Sequence, residues 1–182
     1  AQVSIQDSPI TFDDEYNLVL KVRPSIKVVE IKDNSQQTTD NRQSSCLDLL
    51  FEGDALVNYQ SMSPYNIDQN VINNAQMIVL DATANVNATM QQSLLDFASQ
   101  GGSLVVFNNE ETDNSLLYDR LGIKPKALDD NVSRIEYVAK QNSFFDDIFV
   151  KFPENAALPE VNKHISFDIR NNNVLNIASL QN

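Results

Sequence analysis

With 182 residues, 25 acidic against 13 basic side chains and a formal net charge of −12 at pH 7, the chain lacks the usual nucleic-acid-binding surface, whose affinity comes mostly from Lys and Arg. The same charge disfavours an anionic membrane surface, and the longest apolar runs, such as Met77 to Leu80, are too short to span a bilayer. The length suits one α/β core with a small appendage, and the single cysteine, Cys46, excludes an intrachain disulfide.

Residues 1–24 are predicted to form an N-terminal β hairpin or appendage. Two β-like runs flank Pro9 and an acidic turn at residues 13–15, and the second run alternates apolar and polar side chains except at Val19. Pro24 interrupts this pattern, and SIKVVEIK then predicts a third strand. We therefore expect the main α/β domain to comprise residues 25–182.

The segment TDNRQSSCLDLLFEG predicts a helix that ends at Gly53. Cys46 falls in its interior, where no helix N-terminus lowers the pKa of a thiol, and is therefore predicted to be a packing residue. Leu47, Leu50 and Phe51 fall at helical spacing in this segment. The following run, LVNYQSMS, predicts a strand.

MIVLDA and SLVVFN have the apolar character of buried strands, and the segment between them predicts the clearest helix of the chain. Asn85 or Asn87 caps this helix, and Gly101 or Gly102 terminates it. Its spacing predicts an apolar face formed by Met90, Leu94, Phe97 and Ala98.

Asp113 begins a shorter predicted helix that carries Leu117 and Leu121 and ends at Gly122. The rest of the chain is mainly β-like, in RIEYVAK, HISFDI and VLNIASL, with a short helical piece at FFDDIF. The alternation of strand and helix over residues 25–122 predicts a three-layer α/β/α fold around a mostly parallel sheet with right-handed crossovers. The extra strands at both ends either extend this sheet or form a separate β layer.

Ligands of open α/β sheets bind at the carboxyl ends of the strands. The residues predicted at this edge are Asp33, Asp81, Asn108, Asn109, Glu110 and Glu111. Three acidic loops at one edge suit a hard cation such as Mg²⁺ or Ca²⁺, but loop carboxylates are common in an acidic protein. Because no Asp-x-Asp spacing supports the cation, we assign no metal.

The sequence predicts no catalytic residue and no cofactor. The four glycines provide no Gly-x-Ser-x-Gly elbow, and Gly101-Gly102 precedes a strand, whereas a phosphate cradle would follow one. His164, the one histidine, alternates out of phase with Ile165, Phe167 and Ile169 and is predicted to face solvent.

The family resemblance of the chain rests on five segments and their order: SPITFDDEYNLVLKV, IKVVEIK, MIVLDAT, LLDFASQGGSLVVF and NAALPEVNKHISFDI. Over roughly residues 3 to 180 the chain resembles the extracytoplasmic α/β module of BatA-like, aerotolerance-regulator-type membrane proteins of Bacteroidetes. The middle region of that module is similar to class I glutamine amidotransferases, which are flavodoxin-like.

This resemblance implies a flavodoxin-like fold, a periplasmic location and transmembrane helices outside this segment. The chain begins nearly inside a strand and ends just after one, which also predicts a piece of a longer protein. The expected partners are other cell-envelope proteins or flanking domains of the same chain. Neither Asp81 nor Asn108, the residues nearest the elbows, can replace the amidotransferase cysteine, and no His-x-Glu pair exists.

The sequence thus favours a non-catalytic interaction or sensing domain. Two alternatives stay open. One is an amidotransferase-like or hydrolase enzyme that uses Asp81, Glu110 and Glu111, with or without a metal. The other is a structural spacer whose edge strands pair with flanking domains.

Overall fold

The computed structural model describes residues 2–4, 15–17, 19, 25–33, 46–82, 84–108, 113–139, 157–170 and 174–181. The strands are β1 Gln2–Ser4, β2 Glu15–Asn17, β3 Ile26–Ile31, β4 Val57–Met62, β5 Met77–Leu80, β6 Ser103–Val106, β7 Ile123–Asp129, β8 Ser133–Val138, β9 Glu160–Val161, β10 His164–Ile169 and β11 Ala178–Leu180. The helices are α1 Cys46–Phe51, α2 Gln69–Asn74, α3 Ala88–Ser99 and α4 Ser115–Leu121, with a 3₁₀ turn at Pro64–Asn66.

The centre of the fold is a four-stranded parallel sheet in the order β4-β3-β5-β6. β3 is paired on both sides, with Ile26 opposite Val57 and Ile31 opposite Leu80. The strand order reverses between β3 and β5, which is the position where open α/β sheets place their ligand crevice. The predicted α/β class with a parallel sheet flanked by helices is confirmed.

Alternation along β3 divides the apolar core between the two faces of the sheet. Val29 and Ile31 point to one face, where they join Ile78 and Leu80 of β5 in the main core. Helices α2, α3 and α4 supply the rest of this core, including Ile72, Leu94, Phe97 and Leu117. Val28 and Glu30 point to the opposite face, where α1 contacts β4. The two faces are thus covered by different helices, as right-handed crossovers require when the strand order reverses.

Helix α3 begins and ends as the sequence predicts. The Asn87 side chain accepts a hydrogen bond from the Met90 backbone N–H at 2.9 Å, so Asn87 rather than Asn85 is the cap. Gly101 has a φ of +93°, which is the left-handed conformation that favours glycine. A Cβ added at Gly102 would lie 2.2 Å from the Phe97 ring, so both glycines are needed for this turn.

Helix α4 also ends as predicted, at Gly122 with a φ of +69°. Its first helical residue is Ser115 rather than Asp113, which corrects the predicted boundary. Asp113 still acts at this end, because its carboxylate accepts a hydrogen bond from the Ser115 backbone N–H at 3.0 Å. Hydrogen bonds from the Ser115 side chain and, second to it, from this backbone N–H hold the pKa of Asp113 below its ordinary value.

Within the described residues the strands at both ends pair among themselves and not with the parallel sheet. β1 pairs with β2, β7 pairs with β10, and β8 lies between β9 and β11, all antiparallel. Among the described residues these strands do not extend the parallel sheet but form three small separate sheets. The Tyr118 ring on α4 contacts the Phe167 ring on β10, with 5.8 Å between centroids, and connects the β7–β10 sheet to the core. The helical piece predicted at FFDDIF lies outside the described residues.

One prediction for α1 is wrong: Cys46 is exposed, so it is not a packing residue. The residues predicted to precede it in the helix lie outside the described residues. Leu50, at helical spacing with Leu47 and Phe51, is 67% exposed. The described part of α1 contacts β4, and its Asp48 lies 3.9 Å from Lys32.

Candidate functional site

The predicted ligand edge is built from the ends of β3, β5 and β6. Asp33, Asp81 and Asn108 follow these three adjacent strands. The ladder continues beyond the strands, because the Asp81 N–H donates to the Ile31 carbonyl oxygen at 2.9 Å. This continuation aligns Asp81 with Lys32 and places Asp33 and Asn108 one residue further along. The other three candidates, Asn109, Glu110 and Glu111, lie outside the described residues.

Asn108 is engaged in a contact that fastens α4 to the sheet. Its side-chain oxygen accepts a short hydrogen bond from the hydroxyl of Tyr118, which is buried. Burial raises the pKa of Tyr118 above its ordinary value, a hydrogen bond with the Asn114 side chain opposes this, and the nearby charge of Asp113 adds to it. The neutral hydroxyl is therefore the favoured state, and this state can donate to Asn108.

Gln91 forms a second polar connection behind the same edge. Its amide nitrogen donates to the carbonyl oxygens of Val86 at 3.1 Å and Asp113 at 2.7 Å. Its amide oxygen accepts from the Leu117 N–H at 3.4 Å. One buried side chain thus holds the loops after β5 and β6 against α4. Gln91 is not among the residues predicted for this edge, although its position three residues before Leu94 places it on the buried face of α3.

Chemically, the described part of this edge is a framework of amide and phenol hydrogen bonds. Within the described ranges, no three His, Cys, Asp or Glu side chains are grouped so as to hold a metal ion. The predicted role of the edge in ligand binding stays a prediction.

A buried charged cluster lies on the opposite face of the sheet, under α1. Glu30 is only 1% exposed, and its carboxylate accepts a hydrogen bond from the Tyr59 hydroxyl at 2.7 Å. The Lys32 ammonium lies 3.2 Å from Glu30 and 3.9 Å from Asp48 on α1. The cluster therefore joins α1, β3 and β4. Its sequence signal is the charged residue in VVEI, inside a run whose apolar neighbours are typical of a strand buried on both faces.

Above this cluster is a groove of about 590 Å³ between α1, β4 and the loop that connects them, which we call the α1–β4 groove. Its apolar lining comprises Leu49, Phe51, Ala55, Val57 and Tyr59. Its ionisable lining comprises Asp48, Glu52 and Asp54, and no Lys, Arg or His is among its described lining residues. Leu49 on the groove wall is 64% exposed, and the neighbouring Leu50 and Leu56 are each 67% exposed. Three large apolar side chains in water beside acidic ones form a surface suited to a partner.

His164 departs from its predicted orientation. It is half-buried and lies opposite Asp129 on β7, and among the described residues its shielded ring Nδ1 has no hydrogen-bond partner. The pairing of β10 with β7 shifts between Ile165 and Phe167, where β7 contributes one extra residue. Ile169, at the end of β10, is 52% exposed.

Comparison with known proteins adds no relative: no family model, no curated protein and no solved structure matches this chain. Among the described residues, no helix is both long and apolar enough to cross a membrane. The candidate site therefore depends on the geometry of the chain itself, in which the α1–β4 groove combines a cavity, exposed apolar side chains and uniform charge.

Proposed function

We propose that this chain is a non-catalytic interaction domain that presents the α1–β4 groove to a polypeptide partner. The observation that carries the proposal is the exposure of Leu49, Leu50 and Leu56 around the groove. Covering such side chains removes apolar surface from water and stabilises a complex by about 25 cal/mol per Å² before the costs of association.

The charge of the groove indicates the kind of partner. Asp48, Glu52 and Asp54 line it, and the whole chain carries a net charge of −12. A partner segment with apolar side chains flanked by Lys or Arg complements this surface, whereas an acidic segment is repelled. The buried ion pair of Glu30 and Lys32 supports this use, because it anchors the sheet beneath the groove and reaches Asp48 on α1.

The finer parts of the proposal come from the resemblance to BatA-like proteins. We place the domain in the periplasm of a Bacteroidetes cell, as the extracytoplasmic part of a membrane-anchored protein, with other envelope proteins as partners. The sheet order supports the flavodoxin-like class, because β4-β3-β5-β6 corresponds to the first four strands of the order 2-1-3-4-5. Protease treatment of spheroplasts tests the location: the domain should be digested while a cytoplasmic marker is protected.

Two peptide pools of equal length test the interaction. One pool alternates Lys with Leu, Val and Phe, and the other has Glu in place of Lys. In fluorescence anisotropy titrations the domain should bind the basic pool and not the acidic one. Leu49→Asp should weaken binding at least about tenfold, which corresponds to about 1.4 kcal/mol.

Val132→Asp is the matched control, because Val132 is equally exposed but lies in the turn between β7 and β8. Equal binding of both pools, or unchanged binding by Leu49→Asp, would contradict the proposed groove function.

A further inference from the structure

Two aromatic rings in the α1–β4 groove contact each other. The Phe51 ring on α1 and the Tyr59 ring on β4 have centroids 5.8 Å apart and planes tilted by 34°, and both residues line the groove. Each residue is half-buried, so part of each ring is accessible from the groove. The face of an aromatic ring carries negative potential and attracts a cation within about 6 Å of its centroid. The pair is therefore a surface on which a planar cation can stack.

The Tyr59 ring is held in place by the buried cluster beneath the groove. Its hydroxyl donates to the carboxylate of Glu30 at 2.7 Å, and this hydrogen bond fixes the orientation of the ring. Donation to an anion also polarises the phenol and moves electron density into the ring. The negative potential over the ring faces is thereby strengthened, which favours a cation further.

The carboxylates of the groove differ in the partners that the chain itself gives them. Lys32 lies 3.9 Å from Asp48 and so already supplies a cation to that carboxylate. The Asp54 carboxylate accepts a backbone hydrogen bond at 2.8 Å in the turn before β4. Glu52 directly follows Phe51, is exposed and lines the groove. Glu52 is therefore the carboxylate that we assign to a cation stacked on the rings.

We propose that the groove recognises an arginine side chain of its partner, whose guanidinium stacks on Phe51 and Tyr59 and pairs with Glu52. This anchor rests on the proposed function, because it requires a polypeptide in the groove. Arginine fits better than lysine, since its guanidinium is planar, weakly hydrated and able to donate two parallel hydrogen bonds to one carboxylate. The net charge of −12 favours the approach of such a cation.

Three peptides that differ only in their central residue test the anchor. Each has the sequence Lys-Leu-Val-X-Leu-Val-Lys, where X is arginine, lysine or citrulline, which has the shape of arginine without its charge. In fluorescence anisotropy titrations the arginine peptide should bind about fivefold tighter than the lysine peptide, which is the effect expected of one cation–π contact. The citrulline peptide should bind more weakly than the arginine peptide.

Two variants of the groove separate the ring from the charge. Phe51→Leu keeps an apolar side chain but removes a ring, so the preference for arginine over lysine should fall below about twofold. Phe107→Leu, at an exposed phenylalanine after β6, is the control and should keep the full preference. Glu52→Gln should weaken binding of the arginine peptide, whereas Glu136→Gln, at an exposed glutamate on β8, should not. Circular dichroism checks that each variant is folded.

Nuclear magnetic resonance of the bound arginine peptide reports the stacking directly. Protons above an aromatic ring face shift upfield, so the δ-methylene protons of the central arginine should move upfield on binding. Phe51→Leu should reduce this shift and Phe107→Leu should leave it unchanged. A charge contact without stacking would not produce the shift and would overturn the assigned geometry.

The peptide titrations give different results for failure of the anchor and failure of the proposed function. Equal affinity for all three peptides, or an unchanged preference for arginine in Phe51→Leu, would refute the arginine anchor while the groove still binds a polypeptide. If no peptide binds at all, the proposed function fails, and the anchor fails with it.

Discussion

Glu30 shows how this fold accommodates a charge inside a sheet. Its carboxylate is almost fully buried, yet it faces the Tyr59 hydroxyl at 2.7 Å and the Lys32 ammonium at 3.2 Å. Removing a carboxylate from water costs several kcal/mol, and only such partners offset this cost. Removal of either partner of Glu30 should therefore lower the stability of the fold.

Lys32→Met is expected to lower the free energy of unfolding by about 3 kcal/mol, because it leaves the buried carboxylate of Glu30 without its ammonium partner. Adding Glu30→Gln should recover part of this loss. Lys126→Met is the control and should cost much less, since Lys126 pairs with Asp168 at 2.8 Å but both side chains are half exposed and solvent screens the pair. Urea denaturation gives the free energy of unfolding of all three variants. Equal losses for Lys32→Met and Lys126→Met would contradict the buried cluster.

Ionisation of Tyr118 should lower the free energy of unfolding at alkaline pH. Burial raises its pKa above the ordinary value of 10.0, so the folded chain holds this proton more tightly than the unfolded chain. The contribution is fully present below pH 10 and is lost as pH rises through the raised pKa. The stability difference between wild type and Tyr118→Phe should therefore be constant up to about pH 9 and narrow above pH 10. Urea titrations at a series of pH values measure the two free energies of unfolding. A difference between the two proteins that widens above pH 10 would contradict the raised pKa of Tyr118.

The ends of the elements follow local rules that the sequence displays. Asn87 caps α3, Gly101 and Gly102 end it, and Gly122 ends α4 in the left-handed conformation. Each of these residues acts on backbone within a few positions along the chain, either through its side chain or, for glycine, through the lack of one. Such boundaries can therefore be predicted without knowledge of the tertiary contacts.

Replacing Asn87 by Ala should cost about 1 kcal/mol, because the Met90 N–H loses its acceptor. Asn85 is the matched control: it lies two residues earlier, it is exposed, and its replacement by Ala should change stability by less than about 0.5 kcal/mol. Chemical denaturation of the two variants distinguishes them. A comparable loss in both would mean that the cap contributes nothing specific.

Other features of the elements depend on distant contacts and were not predictable. β7 contains Pro125, which normally argues against a strand, but among the described strands β7 pairs with β10 alone and so tolerates a residue that cannot donate on its other side. The extra residue of β7 in this pairing leaves no mark in the sequence. The exposure of Cys46 and Leu50 depends on what surrounds α1 in the fold, which helical spacing does not give.

At the scale of the molecule, the alternation of strands and helices was sufficient to predict the parallel sheet, because each apolar run must be buried between helices. The same reasoning placed Asp33, Asp81 and Asn108 at one edge, where the structure has them. It did not predict the α1–β4 groove. The groove lies between α1 and β4, where Leu49 is exposed beside acidic side chains, and this arrangement does not follow from spacing along the chain.

Photocrosslinking in intact cells that produce the protein tests most directly whether the α1–β4 groove receives a polypeptide partner. A photoreactive residue is placed at Leu49 and, as control, at Thr89 on the exposed side of α3. We expect a protein adduct from position 49 and none from position 89. Reversing the rim charge with Glu52→Lys and Asp54→Lys should abolish the adduct. No adduct at position 49, or the same adduct from both positions, would contradict the account.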